Sequence, residues 1–286
     1  RGFHTELEAV YEEYNIGLSS DWRKVYAALF AKLFPTHPYG TQTTIGLGEH
    51  LKNPSITNIK NYFNKYYVPN NIAICLSGDL DPDKTVASIE KYFGNWKPSA
   101  HIDVPQFPAQ PALTAPVDTT VVGKEAPMLF MGWRADASKS LQLDTLEVIA
   151  QLLSNGQAGL FDLDLSQKLK VQEVSAGIAD MDEYSVFYVY GQPKSGQTLQ
   201  EVRSLALSEI EKLKKGNFSD DLLPSIVNNY KRYYYTQLDN NQFRAKQYVD
   251  AFINHKDWKQ EVDKLNRISK LTKAEIVKFA NQFFHN

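Results

Sequence analysis

Two glutamates in the opening stretch TELEAVYEEY, residues 5–14, have the spacing to serve one chemical site. Glu6 and Glu13 are seven positions apart, so on a helix turning about 100° per residue they point nearly the same way. Leu7, Ala9, Val10 and Tyr14 flank them, while Glu8, Tyr11 and Glu12 take the opposite side. An apolar stripe with two carboxylates at its centre needs an explanation, because a carboxylate taken out of water requires a cation, a metal or several donors. Two arrangements supply that. Either Lys or Arg from elsewhere pairs with the glutamates, or one glutamate binds a metal while the other orients a neighbouring ligand.

Other chemistry-bearing patterns are weaker. DLDPDKTVASIE, residues 79–90, has the acidic spacing of a calcium loop, but Lys84 stands where that loop needs glycine for its turn. A strand leading into a helix capped by Asp81 explains the spacing. GLGEHL, residues 46–51, has no third glycine for a dinucleotide site, and as the end of an H-x-x-E-H zinc motif it has Gly46 in place of the first histidine. No G-x-S-x-G serine elbow occurs. YKRYYYTQ, residues 230–237, reads as a tyrosine-rich helix face rather than a stacking platform for nucleic acid.

The elements that would position these residues follow from periodicity and caps. Residues 5–16 read as a helix, and SSDWRKVYAALFAKLFP as a second, with Ser20 or Asp21 as N-cap and Pro35 as the stop. THPYGTQTTIG reads as a loop. NPSITNIKNYFNKYYVPNN gives an amphipathic helix with Ile56, Ile59, Tyr62, Phe63 and Tyr66 on one face. The strand NIAICLSGDL follows, burying Cys75, and then a helix with Asp81 as N-cap and Pro82 in its first turn. Residues 95–116 hold five prolines and read as a linker. Beyond it, VDTTVV and PMLFMGWRA are expected as strands, SLQLDTLEVIAQLLSNG as a helix ending at Gly156, GLFDLDLSQKL as a shorter helix and YSVFYVYGQP as an aromatic-rich strand. In that strand Tyr184, Tyr188 and Tyr190 share a face, a pattern that packing explains. Helices close the chain, one ending in KLKKG with Gly216 at its C-cap.

At an offset of 217 residues, PSITNIKNYFNKYYVPN (54–70) superposes on LTKAEIVKFANQFFHN (271–286). Ser55 matches Thr272, Ile59 matches Ile276, Asn64 matches Asn281, and Tyr66 and Tyr67 match Phe283 and Phe284. The first copy runs on into a strand and the second does not. The chain is therefore expected to be cut at both ends, its true beginning lying upstream of Arg1.

The 286 residues suit two medium-sized domains. Net charge of −2 leaves no electrostatic footprint for nucleic acid, and no apolar run approaches the roughly 18 residues that span a bilayer. A single cysteine excludes an internal disulfide and a cysteine-rich metal site, and leaves the compartment open between cytosol and periplasm.

Several of these segments together resemble the M16 zinc peptidases of the pitrilysin, insulinase and mitochondrial processing peptidase type. They are Glu6 and Glu13 in TELEAVYEEY, HPYG (37–40), YYVPNNIAICLSGDLDPDKTVASIEKYFGNW (66–96) and GLFDLDLSQKLK (159–170). The resemblance covers most of the chain. It implies an α+β fold of two repeated domains, each an antiparallel-rich sheet flanked by helices, the first truncated at its N-terminus and the second at its C-terminus. Residues 1–100 would be the later part of a catalytic-type domain, 101–115 the proline-rich linker and 116–286 the non-catalytic companion domain.

The same resemblance implies a zinc site made by two histidines of H-x-x-E-H and a glutamate on the next helix. Matched residue by residue, Glu13 becomes a metal ligand and Glu6 the carboxylate that supports the site. Zinc in such a site lowers the pKa of a bound water and polarises the scissile carbonyl. No H-x-x-E-H occurs in these residues, so no catalytic residue is placed in this chain and the general base is expected upstream. Two explanations follow. The chain is an inactive fragment of a zinc metalloendopeptidase acting on peptides or small or unfolded proteins, with Zn²⁺ in the parent and absent from the fragment. Alternatively it is a catalytically silent scaffold or partner subunit that binds peptides or an active protease subunit. Expected partners are a peptide substrate and further M16 domains of the same chain or of a partner subunit, with no nucleic acid or membrane.

Overall fold

The computed structural model describes residues 2–284. The last two residues of the repeat, His285 and Asn286, lie outside that range.

The chain opens with helices α1 (Gly2–Ser19) and α2 (Asp21–Leu33). Ser20 separates them, its hydroxyl accepting from the Arg23 N–H as N-cap of α2. Short helix α3 (Pro38–Thr41) lies within the stretch 36–46 expected to be loop, and α4 (Gly48–Lys52) follows it. Then come α5 (Ile56–Tyr66), capped by Ser55, and α6 (Pro82–Phe93), whose N-cap Asp81 accepts from the N–H groups of Asp83 and Lys84. The acidic run at 79–90 is thus a helix cap.

Beyond the proline-rich stretch lie β1 (Leu129–Ala135), α7 (Gln142–Leu153), a π-helical turn over Asp162–Ser166, β2 (Glu173–Ala179) and β3 (Ser185–Gln192). Helices α8 (Leu199–Lys214), α9 (Leu222–Gln237), α10 (Asn241–Ile253), α11 (Trp258–Lys270) and α12 (Lys273–Phe283) complete the chain. Gly216 ends α8 at φ 70°, its N–H donating to the Leu213 carbonyl. Among the described residues no helix is long and apolar enough to cross a membrane.

The three strands form one antiparallel sheet in the order β1-β3-β2. Central β3 pairs Phe187 with Trp133 on one side and with Ile178 on the other. Because successive side chains alternate, β3 feeds two cores. Phe187 and Val189 enter the larger one, built with Leu146, Ile149, Leu153, Val202, Ala206 and Ile276 from α7, α8 and α12. Val186 and the partly buried Tyr184 and Tyr188 face the other way, onto Phe30, Leu33 and Phe34 at the end of α2. Gly132 lets α2 come close: a Cβ there would stand 3.0–3.1 Å from Leu29 and Leu33. An α+β chain therefore has its sheet covered on both faces, one of them by an N-terminal helix.

Two expected strands are absent. Residues 72–80 and 117–122 run without a ladder, and Ile74, Leu76 and Val122 are exposed. Their apolar alternation is real, but β structure needs a partner strand and none adjoins either segment among the described residues. Cys75, expected to be buried, is half-buried. In contrast β2 was not expected, because Ala176, Gly177 and Ala179 give it little β-propensity. Of the tyrosine run, Tyr230 packs against the main core while Tyr233 and Tyr235 are exposed.

Candidate functional site

Helix α1 buries none of its residues. Glu6 and Glu13 are both exposed, and neither makes a hydrogen bond or ion pair among the described residues. The burial that the apolar stripe suggested is thus not achieved within this chain, and pairing with an internal Lys or Arg is not how their charge is met. Tyr14, beside Glu13, packs on α4, where a Cβ at Gly48 would come within 2.7 Å of its ring.

Glu13 stands on the rim of a groove of about 990 Å³ between α1, α2 and the segment after α3. Tyr14, Trp22, Tyr26, Tyr39 and Met181 also line it. Its floor is an aromatic ladder: Trp22 stacks on Tyr26 at 5.0 Å, and Tyr26 on Phe30 at 4.3 Å. Burial raises the Tyr26 phenol above its ordinary pKa, with the neighbouring Tyr188 adding to the effect.

Three polar anchors hold this groove to the sheet. At the first, the His37 ring is buried and works as the N-cap of α3: Nδ1 accepts from the Tyr39 N–H at 3.2 Å. Nε2 lies 3.0 Å from a carboxylate oxygen of Glu183, so with Nδ1 accepting, Nε2 is the nitrogen that donates. Phe34, Tyr39, Phe107 and Tyr184 surround the ring with centroids 4.3–6.2 Å away. The Tyr39 hydroxyl accepts from the Glu183 N–H, and Gly40 sits where a Cβ would fall 2.2 Å from the Phe34 carbonyl oxygen. Every residue of HPYG therefore has a structural task, with Pro38 in the first turn of α3.

At the second anchor, the Arg134 guanidinium of β1 donates to the carbonyls of Leu33 at the end of α2 and of Pro111 in the proline-rich segment, the latter at 2.9 Å. It also stacks on Phe34 and Tyr184, 5.3 and 5.8 Å from their centroids. Burial lowers its pKa from the usual guanidinium range. Gln110 adds side-chain and backbone bonds to Thr36 and Tyr184.

At the third, the buried Asp21 carboxylate opens α2. It accepts from Lys24 Nζ at 2.9 Å and from the N–H groups of Lys124 and Glu125, the latter at 2.6 Å. The bond from Lys24, followed by that from Glu125, holds its pKa down at about 2. Gly123 is needed here, since a Cβ would overlap the Asp21 carboxylate.

No group of three or more His, Cys, Asp or Glu side chains that could hold a metal occurs among the described residues. The donors near Glu13 therefore do not by themselves fit zinc, which takes three protein ligands in a catalytic site. His37, the histidine of HPYG, is committed to Glu183 and to α3. The anchors themselves were not legible in the sequence as site residues. HPYG was visible as a motif, but nothing local shows that Glu183 lies against it.

The fold is α+β, a short antiparallel sheet packed under helices, and the carboxylate-bearing α1 stands at the edge of an aromatic groove. The chain belongs to the M16 peptidase family: the model described as "Peptidase M16 inactive domain" matches residues 55–230. A curated relative, the zinc protease PqqE of Helicobacter pylori, is 24% identical over 269 residues, which are 91% of this chain and 59% of that protein. The chain thus spans about three-fifths of that relative's length. A crystal structure of a protease from Helicobacter pylori matches 99% of this chain with 69% of its own, at TM-score 0.90 and 23% identity. The first half of the periplasmic protease PqqL from Escherichia coli matches at TM-score 0.74 and 12% identity, over 98% of this chain and 62% of that one. These two likenesses establish the shared fold.

Proposed function

We propose that this chain is a fragment, inactive by itself, of a zinc-dependent metalloendopeptidase that hydrolyses peptides or small or unfolded proteins. In this reading Glu13 supplies one zinc ligand and Glu6 supports the site, while the histidines and the general base come from a part of the polypeptide outside these residues. The observation that carries the reading is the state of the two carboxylates. They share a helix face, lack any partner among the described residues, and Glu13 opens on a groove large enough for a further element. The name of the Helicobacter pylori relative, a zinc protease, and its greater length support it. Residues 1–100 then belong to a catalytic-type domain, 101–115 to a linker and 116–286 to its companion.

A second reading is a silent scaffold that binds peptides or docks on an active subunit. The description of the matched family as an inactive domain favours it. Complementation separates the two. Supplying the polypeptide segment upstream of Arg1 to the purified chain gives zinc binding and peptide hydrolysis if the first reading holds. A folded complex that binds peptide but takes up no zinc would establish the second.

A further inference from the structure

On the face of the sheet opposite α2, strand β2 and helices α7, α9 and α11 enclose a cavity of about 290 Å³, separate from the groove at Glu13. Leu143 and Ala150 of α7, Ala176 and Ile178 of β2, Ile226 of α9 and Ile268 of α11 give it apolar walls. Ala150 and Ala176 contribute only a methyl group each, which leaves the space open. A cavity of roughly 150 Å³ with such walls is enough to hold benzene. The one here accommodates a two-ring aromatic.

Two polar groups meet in its wall, Glu147 of α7 and Tyr230 of α9. Lys264 of α11 binds Glu147 Oε1 at 2.7 Å and stands 3.8 Å from Asp144, which Arg267 holds at 2.7 Å. Asp180, which follows β2 and also lines the cavity, binds Lys256 at 3.0 Å. Each of these carboxylates has its cation, so an ion entering the cavity would meet no unmatched charge to offset its desolvation. Burial opposes the charge on Lys264, but Glu147 and Tyr230 outweigh it and raise its pKa, so the cation stays in place. Burial pushes the Tyr230 phenol up to about 12, and it keeps its proton at neutral pH. That hydroxyl donates to Glu147 Oε2 at 3.4 Å. A bond from O–H to a carboxylate is ordinarily about 2.5–2.7 Å long. Glu147 Oε2 therefore has capacity for a shorter bond from an incoming N–H or O–H.

We propose that this cavity is a binding site for an uncharged aromatic molecule carrying one N–H or O–H donor, of the indole or phenol class. The ring system packs between β2 and the helices with Tyr230 as its aromatic neighbour, and the donor bonds Glu147 Oε2. The residues involved lie within 143–268, so the site goes beyond the zinc reading and does not depend on it.

Isothermal titration of the 286-residue chain with indole tests this. Indole is expected to bind at one site per chain. The affinity for 1-methylindole, which lacks the donor, should be lower by about tenfold or more. Ala176→Leu fills the cavity and leaves Glu147 and Tyr230 in place, so it should abolish measurable indole binding with the circular dichroism unchanged. If Ala176→Leu does not fold, the ratio of indole to 1-methylindole affinity on the unaltered chain decides the matter. Absence of saturable binding at millimolar indole, or equal affinity for the two compounds, overturns the proposal. Tighter binding of tryptamine than of indole would make the cavity a cation site and overturns it too. Binding that survives in a folded Ala176→Leu protein but is lost in Trp22→Ala assigns the ligand to the aromatic groove beside Glu13, and likewise overturns the proposal.

Discussion

At the scale of single residues, the geometry around Glu13 depends on side chains that do no chemistry. Asp21 is one. Its carboxyl, held at about 2, has a lower pKa folded than unfolded. Its contribution to stability is therefore fully present above the ordinary carboxyl value of 3.8 and is lost as pH falls toward 2. Denaturation curves between about pH 5 and pH 2 should show that loss, and Asp21→Asn should reduce the slope over this window. His37 is another. Its ring is buried, closes two hydrogen bonds and fills an aromatic cage, so His37→Ala should cost about 2–5 kcal/mol in urea denaturation. His50→Ala, at an exposed position on α4, should stay within about 0.5 kcal/mol. Which histidine matters could not be read from residue types. HPYG stood out as a motif, yet its partner Glu183 lies 146 residues away, and a single sequence carries no mark of that pairing.

At the scale of elements, the helices were legible because caps and periodicity are local. Ser20, Asp81 and Gly216 act where the sequence placed them. Strands were legible only in part, since a strand depends on its neighbours. β1 and β3 formed as expected. Residues 72–80, with a stronger apolar pattern than β2, stay unpaired because no strand adjoins them, whereas small residues in β2 are held by the central β3. The repeated helices give the sharpest comparison, with one sequence pattern in two environments. Ile276→Ala removes a fully buried side chain from α12 and should destabilise the chain by about 2–5 kcal/mol. Ile59→Ala, its counterpart on the uncovered α5, should change stability by less than about 1 kcal/mol in the same denaturation experiment.

At the scale of the whole molecule, the N-terminal segment and the sheet are joined through one layer of contacts. α2 covers the face of the sheet that the other helices leave open, and Arg134, His37 and Asp21 fasten it to β1, to the turn before β3 and to residues 124–125. Glu13 is thereby joined to this layer through the α1–α2 corner. That support is what the proposed zinc site requires, with its remaining ligands on another element. The family, and with it the α+β class, was visible in the sequence through the resemblance of particular segments such as TELEAVYEEY, HPYG and residues 66–96. The way α2 completes the sheet was not, because only the three-dimensional course of the chain brings Phe30 and Phe34 against Val186.

The most direct measurement of the central claim is the zinc content of the longer polypeptide with and without Glu13→Gln. The account predicts one zinc per polypeptide in the unaltered protein and loss of tight binding in the Gln variant. It also predicts a weaker effect for Glu6→Gln and no stoichiometric zinc in the 286-residue chain alone. A Glu13→Gln protein that keeps one zinc with unchanged affinity would contradict it.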